Sequence, residues 1–419
     1  MKIKIKHLIT LLIFLTFFVF SIYLNNYNNK IYENSTEKKY RSSNALSMML
    51  ETKCNTGIYE MSKNEKWLSS GYSFNSNLSK CEHGSSLSWD ENKKTVIMSG
   101  NMSDKCYVYF DKDQEKLANY IKSLYTGVQG ENNLYYHDNT LENGANDSSY
   151  RYAGASGTTN NFVCFGYDST DGSCPTDYLY RVIGVFDDQV KLIKYDYAKS
   201  DILGTNGEYV SVYSSTGNSG TTKGENLSSQ IGAYYWNSDT STNTWTESKL
   251  NTINLNTFYL NKIGNTWASK ITSHTWKVGG NTWTNIGTVV ASTAYQNEIL
   301  SPSVDLNYDS KIGLMYLSDY AYAASSSAWT IPLFANSGSD YRLSSVKNVN
   351  WMYMGLWEWM ITPRTDNNNL VFHTDNGGNI YSNRVNYLKN AIRPCFYLDN
   401  SVLLESGDGS KTTPYIIAM

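Results

Sequence analysis

Hydrophobic positions follow three rhythms along this chain, and each predicts a different kind of element. The first is continuous: residues 8–24 (LITLLIFLTFFVFSIYL) carry no charge. As a helix rising about 1.5 Å per residue, that run reaches about 26 Å, close to the thickness of a hydrocarbon core. It predicts one membrane pass. Lys2, Lys4, Lys6 and His7 precede it, and clustered cations stay cytoplasmic, which puts residues 25–419 outside the cell. The exit Phe20-Ser21-Ile22-Tyr23-Leu24 offers no small-x-small cleavage site, favouring an uncleaved anchor over a removed leader.

The second rhythm is short apolar or alternating runs divided by turn formers. Residues 180–186 (YRVIGVF) and 189–195 (QVKLIKY), separated by Asp187-Asp188, predict a β-hairpin. Residues 86–89 (SLSW) and 95–99 (TVIMS) predict a second one. Further strands are expected at 312–317 (IGLMYL), 394–398, 401–404 and 415–417. The third rhythm is helical: Leu117, Tyr120, Ile121 and Leu124 share a face. Thr244-x-x-Glu247 reads as a capping box for a helix carrying Leu250, Ile253, Phe258 and Leu260 toward Ile263. Ser318 reads as the cap of a short helix over 319–325. Many strands with a few helices make the chain α+β. The divisions expected are a cytoplasmic tip and anchor (1–24), a spacer with a small cysteine-containing β-rich domain (25–112), and a main domain (113–419).

Composition narrows the function classes. The 35 Lys and Arg against 38 Asp and Glu leave a net charge of -3, which removes any general electrostatic case for nucleic acid. At 14% aromatic, with 35 Tyr and 11 Trp, the chain is not a disordered one. Export permits disulfides among the six cysteines. Cys164 and Cys174 bracket a turn-rich stretch, and Cys81 and Cys106 flank the 86–99 hairpin, so these are the two bridges expected. Cys54 and Cys395 are left unassigned. No C-x-x-C pair suggests structural zinc.

Catalytic signatures are missing. Asp305-x-Asn307-x-Asp309 resembles the start of a calcium loop, yet Ser310 stands where Gly is required and Tyr316 where Glu is required. His83, His137, His274 and His373 form no H-x-x-x-H pair. A thiol site from Cys395 and His373 stays open, because such groups assemble from distant positions. No cofactor or metal is expected.

The richest stretch is 351–387. Its aromatic and polar residues form the candidate ligand surface: Trp351, Trp357, Arg364, Asn367, Asn368, Asn369, His373, Asp375, Asn379, Tyr381, Asn383, Arg384 and Tyr387. Stiff aromatic area beside adaptable hydrogen-bonding groups is what binding surfaces use. Trp359 and residues 392–398 are expected inside.

The same stretch carries a resemblance. Trp359-Met360-Ile361-Thr362-Pro363, the turn and strand start Gly377-Gly378-Asn379-Ile380, and Ile392-Arg393-Pro394-Cys395-Phe396-Tyr397-Leu398 resemble the closing pattern of bacterial C-type-lectin-like modules. The hairpin at 180–195 resembles the early strands of that family. The tail from Gly407-Asp408-Gly409 to Pro414-Tyr415 is similar to its last turn and strand. The pieces span residues 115–419 with long insertions. The resemblance implies a compact mixed fold whose irregular loops bind ligand. The E-P-N, Q-P-D and W-N-D motifs of calcium-dependent sugar binders are missing, as is the paired cysteine of the sulfatase-activating relatives. That favours a non-catalytic, metal-independent module: a membrane-anchored adhesin or surface receptor for a glycan or a protein. An extracellular enzyme using Cys395 and His373, or a structural envelope or pilus-like component, are the alternatives.

Overall fold

A computed structural model describes residues 46–418, except 53, 55, 64–70, 170–171, 218–219, 303–305 and 334–343. The proposed anchor at 8–24 and the spacer up to residue 45 lie outside the described residues. Among the described residues no helix is long and apolar enough to cross a membrane. The chain is α+β, mostly sheet with a few short helices, and divides into two units, one ending at Asp113 and one beginning at Gln114.

The first unit is built on a five-stranded sheet. Leu46–Glu51 pairs antiparallel with Tyr59–Met61 and parallel with Cys106–Lys112. Tyr72–Phe74 and Lys80–Cys81 both add antiparallel to Cys106–Lys112. The expected hairpin forms as Ser86–Asp90 against Thr95–Ser99. Its core is small, Met48, Val96, Val108 and Phe110, with Trp89 packed edge-on to Phe110 at 5.2 Å. A core of this size gives modest stability, and the Cys81–Cys106 bridge supplements it.

The second unit centres on a ten-stranded sheet. Its main path runs Ile312–Gly313, Cys395–Tyr397, Gln189–Lys194, Leu179–Phe186, Phe162–Cys164, Tyr415–Ile417, Leu403–Ser406, Glu115–Lys116. The hairpin Leu179–Phe186/Gln189–Lys194 is buried nearly throughout. This explains why its sequence reads as a continuous apolar run rather than an alternation. Gly184 follows a break in register, and a Cβ there would meet the Tyr150 carbonyl oxygen at 2.3 Å. The bridge Cys164–Cys174 closes the loop after Phe162–Cys164. A separate antiparallel sheet, Glu358–Pro363, Leu370–Thr374 and Ile380–Arg384, carries most of the candidate surface.

Two helix starts differ from expectation. Thr244 does not cap; Ser248 does, its hydroxyl accepting the Asn251 N–H at 3.3 Å. The helix that follows is wide-turned over Leu250–Tyr259, which rotates its faces. Asn251 and Asn254 point inward, Asn254 donating to the carbonyls of Leu203 (2.8 Å) and Asn206 (3.0 Å), while Phe258 is exposed. The run at 312–317 forms a strand only at Ile312–Gly313, and the next helix starts at Leu317, ahead of Ser318. A distant group wins that cap. The Glu298 carboxylate accepts the N–H groups of Leu317 (3.1 Å) and Ser318 (3.0 Å).

Candidate functional site

Strand register assembles the site. Trp359, His373 and Tyr381 are direct partners on successive strands of the three-stranded sheet, so their side chains stand abreast on one face. Trp357, two residues before Trp359, stacks on the His373 ring at 5.2 Å with the planes 19° apart. Tyr381 lies nearly parallel to His373 at 6.4 Å on one side, and to Trp283 at 6.4 Å on the other. The Arg364 guanidinium sits 5.6 Å from the Trp283 ring and is forked onto Asp366 at 2.9 and 2.8 Å. The result is a row: Trp357, His373, Tyr381, Trp283, and the Arg364–Asp366 fork. Trp357, Tyr381, Trp283 and Arg364 are half-buried and Asp366 is exposed.

His373 is buried, and burial pulls its pKa down to about 4, so its imidazole is neutral at physiological pH. With Nδ1 3.1 Å from the Thr374 carbonyl oxygen, the proton sits on Nδ1 and Nε2 is an acceptor. Among the described residues, Nε2 has no hydrogen-bond partner, and neither does the Trp357 indole N–H, also buried. One acceptor and one donor, on two stacked rings, are therefore unsatisfied. Buried polar atoms in this state are uncommon in native folds and call for an explanation.

The loop beside the row is held from outside the sheet. Asn243 donates through Nδ2 to the carbonyls of Arg364 (2.8 Å), Asn367 (2.8 Å) and Leu370 (2.9 Å). Its backbone N–H donates to the Asn368 carbonyl at 2.7 Å. Asn243 and Trp283 are the residues that sequence reasoning missed. Both belong to the tripeptide Asn-Thr-Trp, which occurs at 243–245, 265–267 and 281–283 and was the available signal.

The candidate residues sort into three groups. Trp357, His373, Tyr381 and Arg364 come together in the row. Asn368 and Tyr387 are exposed on loops and Arg384 at the end of the strand Ile380–Arg384, while Asn367, Asn369 and Asn383 are half-buried. Trp351 is fully buried and leaves the surface: its indole N–H donates to the Tyr152 carbonyl at 2.8 Å, and the buried Arg181 guanidinium lies 4.7 Å from its ring. Asp375 and Asn379 serve a turn. Asp375 accepts the N–H groups of Gly377 (2.8 Å) and Asn379 (2.9 Å) and the Asn379 side-chain amide (2.8 Å). As expected, Trp359 and residues 392–398 are buried.

Cys395 and His373 do not form a thiol site. Cys395 lies in the ten-stranded sheet opposite Ile193 and Gly313, while the rings around His373 belong to Trp357, Trp359 and Tyr381. Burial pushes the Cys395 thiol up to about 12, the reverse of an activated nucleophile. Asn307 and Asp309 sit in a strand, and the Asp309 carboxylate accepts the Thr275 hydroxyl at 2.6 Å. Asp305 lies outside the described residues. Among the described residues, Cys81, Asp104 and Cys106 bring metal-ligand types together, but the two sulfurs are bonded to each other.

No protein-family model matches this chain, nor does any curated protein or solved structure.

Proposed function

We propose that this chain is a membrane-anchored extracellular binding module, an adhesin or surface receptor, whose larger unit is a C-type-lectin-like fold that binds a glycan. The anchor rests on the uncharged run at 8–24 and the lysines before it. The fold reading rests on the quoted sequence patterns. It is supported by the way the ends of the larger unit meet, Leu403–Ser406 pairing with Glu115–Lys116.

One observation carries the binding reading: the aromatic row with its two unpartnered ring nitrogens. Sugar rings present apolar C–H faces that stack on aromatic rings, and their hydroxyls both donate and accept. The half-buried rings of Tyr381 and Trp283 bring aromatic surface to the more accessible end of the row. The Arg364–Asp366 fork offers donors and acceptors at the end of the row. A hydroxyl reaching His373 Nε2 or the Trp357 N–H would satisfy a buried group at little desolvation penalty, because that group is already out of water.

The test is a glycan and protein binding screen with the full-length chain in detergent, followed by Trp283→Ala and Tyr381→Ala. Both variants should stay folded and lose the ligand at least tenfold. A ligand retained by both would move the site off this sheet. Protease shaving of intact cells tests the topology: the bulk of the chain should be digested, and full protection would overturn the exported orientation.

A further inference from the structure

The middle of the larger unit holds an amine and a carboxyl group in contact. Lys191 lies on the central strand Gln189–Lys194, with Tyr397 directly opposite across the sheet. Asp319 lies in the first turn of the helix Leu317–Tyr322. Nζ is 2.6 Å from Oδ2, and the two side chains are 1% and 2% exposed. Aromatic rings enclose the amine: Tyr316 at 4.4 Å, Tyr397 at 5.1 Å, Trp276 at 5.5 Å and Phe186 at 5.6 Å from Nζ.

This differs from the other buried pairs. Arg393 meets Glu358 with two nitrogens at 2.8 Å each, and Arg151 meets Asp147 through a guanidinium as well. A guanidinium stays charged and keeps both partners ionic. An ammonium has three N–H bonds, and Lys191 Nζ uses one of them, on Asp319. An amine can also surrender its proton. Passing it from Nζ to Oδ2 along the existing hydrogen bond turns two buried charges into a neutral amine and a carboxylic acid, with no change in net charge.

We propose that Lys191 and Asp319 condense spontaneously into an intramolecular amide that covalently ties the central strand to the helix. The neutral Nζ attacks Cγ of the protonated carboxyl. The bond from Cγ to the departing oxygen breaks, that oxygen leaves as water, and the N–Cγ amide bond remains. Nothing is oxidised or reduced, and no co-reactant is needed. Three features drive it. Fixed contact supplies an effective concentration on the order of 10⁵ M or more for well-oriented partners. At rest the pair is ionic, Asp319 holding the Lys191 amine protonated and itself accepting the Tyr316 N–H at 2.9 Å, but burial works against both ions and the aromatic enclosure keeps out water that would reverse the reaction. The third is Glu298, a proton-exchanging carboxyl close to the pair: it sits at the start of the same helix, on the Leu317 and Ser318 N–H groups, and interacts electrostatically with Asp319. Burial pushes its pKa up to about 7, so it can both hold and release a proton near neutrality.

Peptide mass mapping of the purified full-length chain, reduced and digested, decides the matter whatever processing the ends undergo. The expected product is one cross-linked species containing Lys191 and Asp319, lighter by one water than the sum of its two peptides. Separate peptides at full mass, with Lys191 open to acylation after denaturation, overturn the proposal. Lys191→Met, which fills the enclosure without an amine, must abolish the loss of one water from the Asp319 peptide; a persisting loss would overturn the assignment to Lys191. Glu298→Gln in freshly refolded protein should slow the appearance of the link at least tenfold. An unchanged rate removes Glu298 from the reaction.

Discussion

The two sheets of the larger unit bury aromatic rings beside polar groups in opposite ways. In the ten-stranded sheet charged side chains are buried with hydrogen-bond partners. Arg181 donates to Asn161 Oδ1 (2.6 Å), Ser156 Oγ (2.8 Å) and the Thr159 carbonyl (2.8 Å), and Lys191 meets Asp319. On the row of the three-stranded sheet the buried polar groups are neutral ring nitrogens, and among the described residues those of Trp357 and His373 have no partner, the charged Arg364–Asp366 fork lying at the row's end. The aromatic content of both regions is high. Buried ring nitrogens without a partner also occur in the interior, at His137 and Trp245, so what marks the candidate surface is two of them on stacked rings, Trp357 and His373, in a row that ends in solvent.

The largest expected effect breaks the one charged pair that joins the two patterns. Glu358, on the three-stranded sheet, pairs with Arg393, and Glu358→Gln leaves a buried guanidinium short of its counter-charge. It should cost about 3–5 kcal/mol in chemical denaturation; a loss under about 1 kcal/mol would show that the pair is not what holds the sheet. Trp359→Ala should fall in the same range of about 3–5 kcal/mol for a fully buried large aromatic.

Acid titration separates the sheets next. His373, held neutral by burial with a pKa of about 4 against an ordinary 6.5, favours the folded state fully above pH 6.5 and loses that contribution as pH falls toward 4. Glu298, raised by burial from 4.5 to about 7, runs the other way: its contribution is complete below pH 4.5 and is lost as pH rises through 7. Each swing is on the order of 3 kcal/mol. His373→Phe should therefore make unfolding free energy rise less steeply between pH 4 and 6.5, and Glu298→Gln should make it rise more steeply. An unchanged profile in either variant would contradict its assignment.

Smaller effects follow. Replacing Cys164 and Cys174 by serine should cost about 2–3 kcal/mol, because the bridge closes a short loop. Smallest of all, Asn368, Arg384 and Tyr387, changed together to alanine, should alter stability within about 0.5 kcal/mol each. A larger loss would mean that these residues brace the sheet instead of facing a ligand.

Much of the scaffold was legible where local pattern and tertiary fate agree. The 180–195 hairpin carries β-branched runs around an Asp-Asp turn, and Asp187 takes the left-handed φ of 52° that such a turn uses. The 86–99 hairpin, the helix Leu117–Ser123 and both bridges were readable for the same reason. The candidate surface was legible in part. Trp357, Arg364, His373 and Tyr381 do assemble, but Trp351 reads the same in sequence and is buried. Nothing in a Trp codon shows that the Arg181 guanidinium occupies its face.

The sequence by itself determined the α+β class, the two hairpins and the cysteine pairs, because these depend on side-chain period, turn chemistry and short closures. Tertiary structure alone decided the rest. Glu298, far along the chain, took the helix cap that Ser318 offered locally, since two buried N–H groups must find an acceptor wherever one is placed. Wide turns set Asn251 and Asn254 inward and Phe258 outward, against the apolar count. Register across three strands, not proximity in sequence, set His373 between Trp357 and Tyr381, and brought Trp283 and Asn243 to a site that no local window contains. Contacts between distant residues carry no periodicity of their own, so only the folded chain reveals which buried groups end up without a partner.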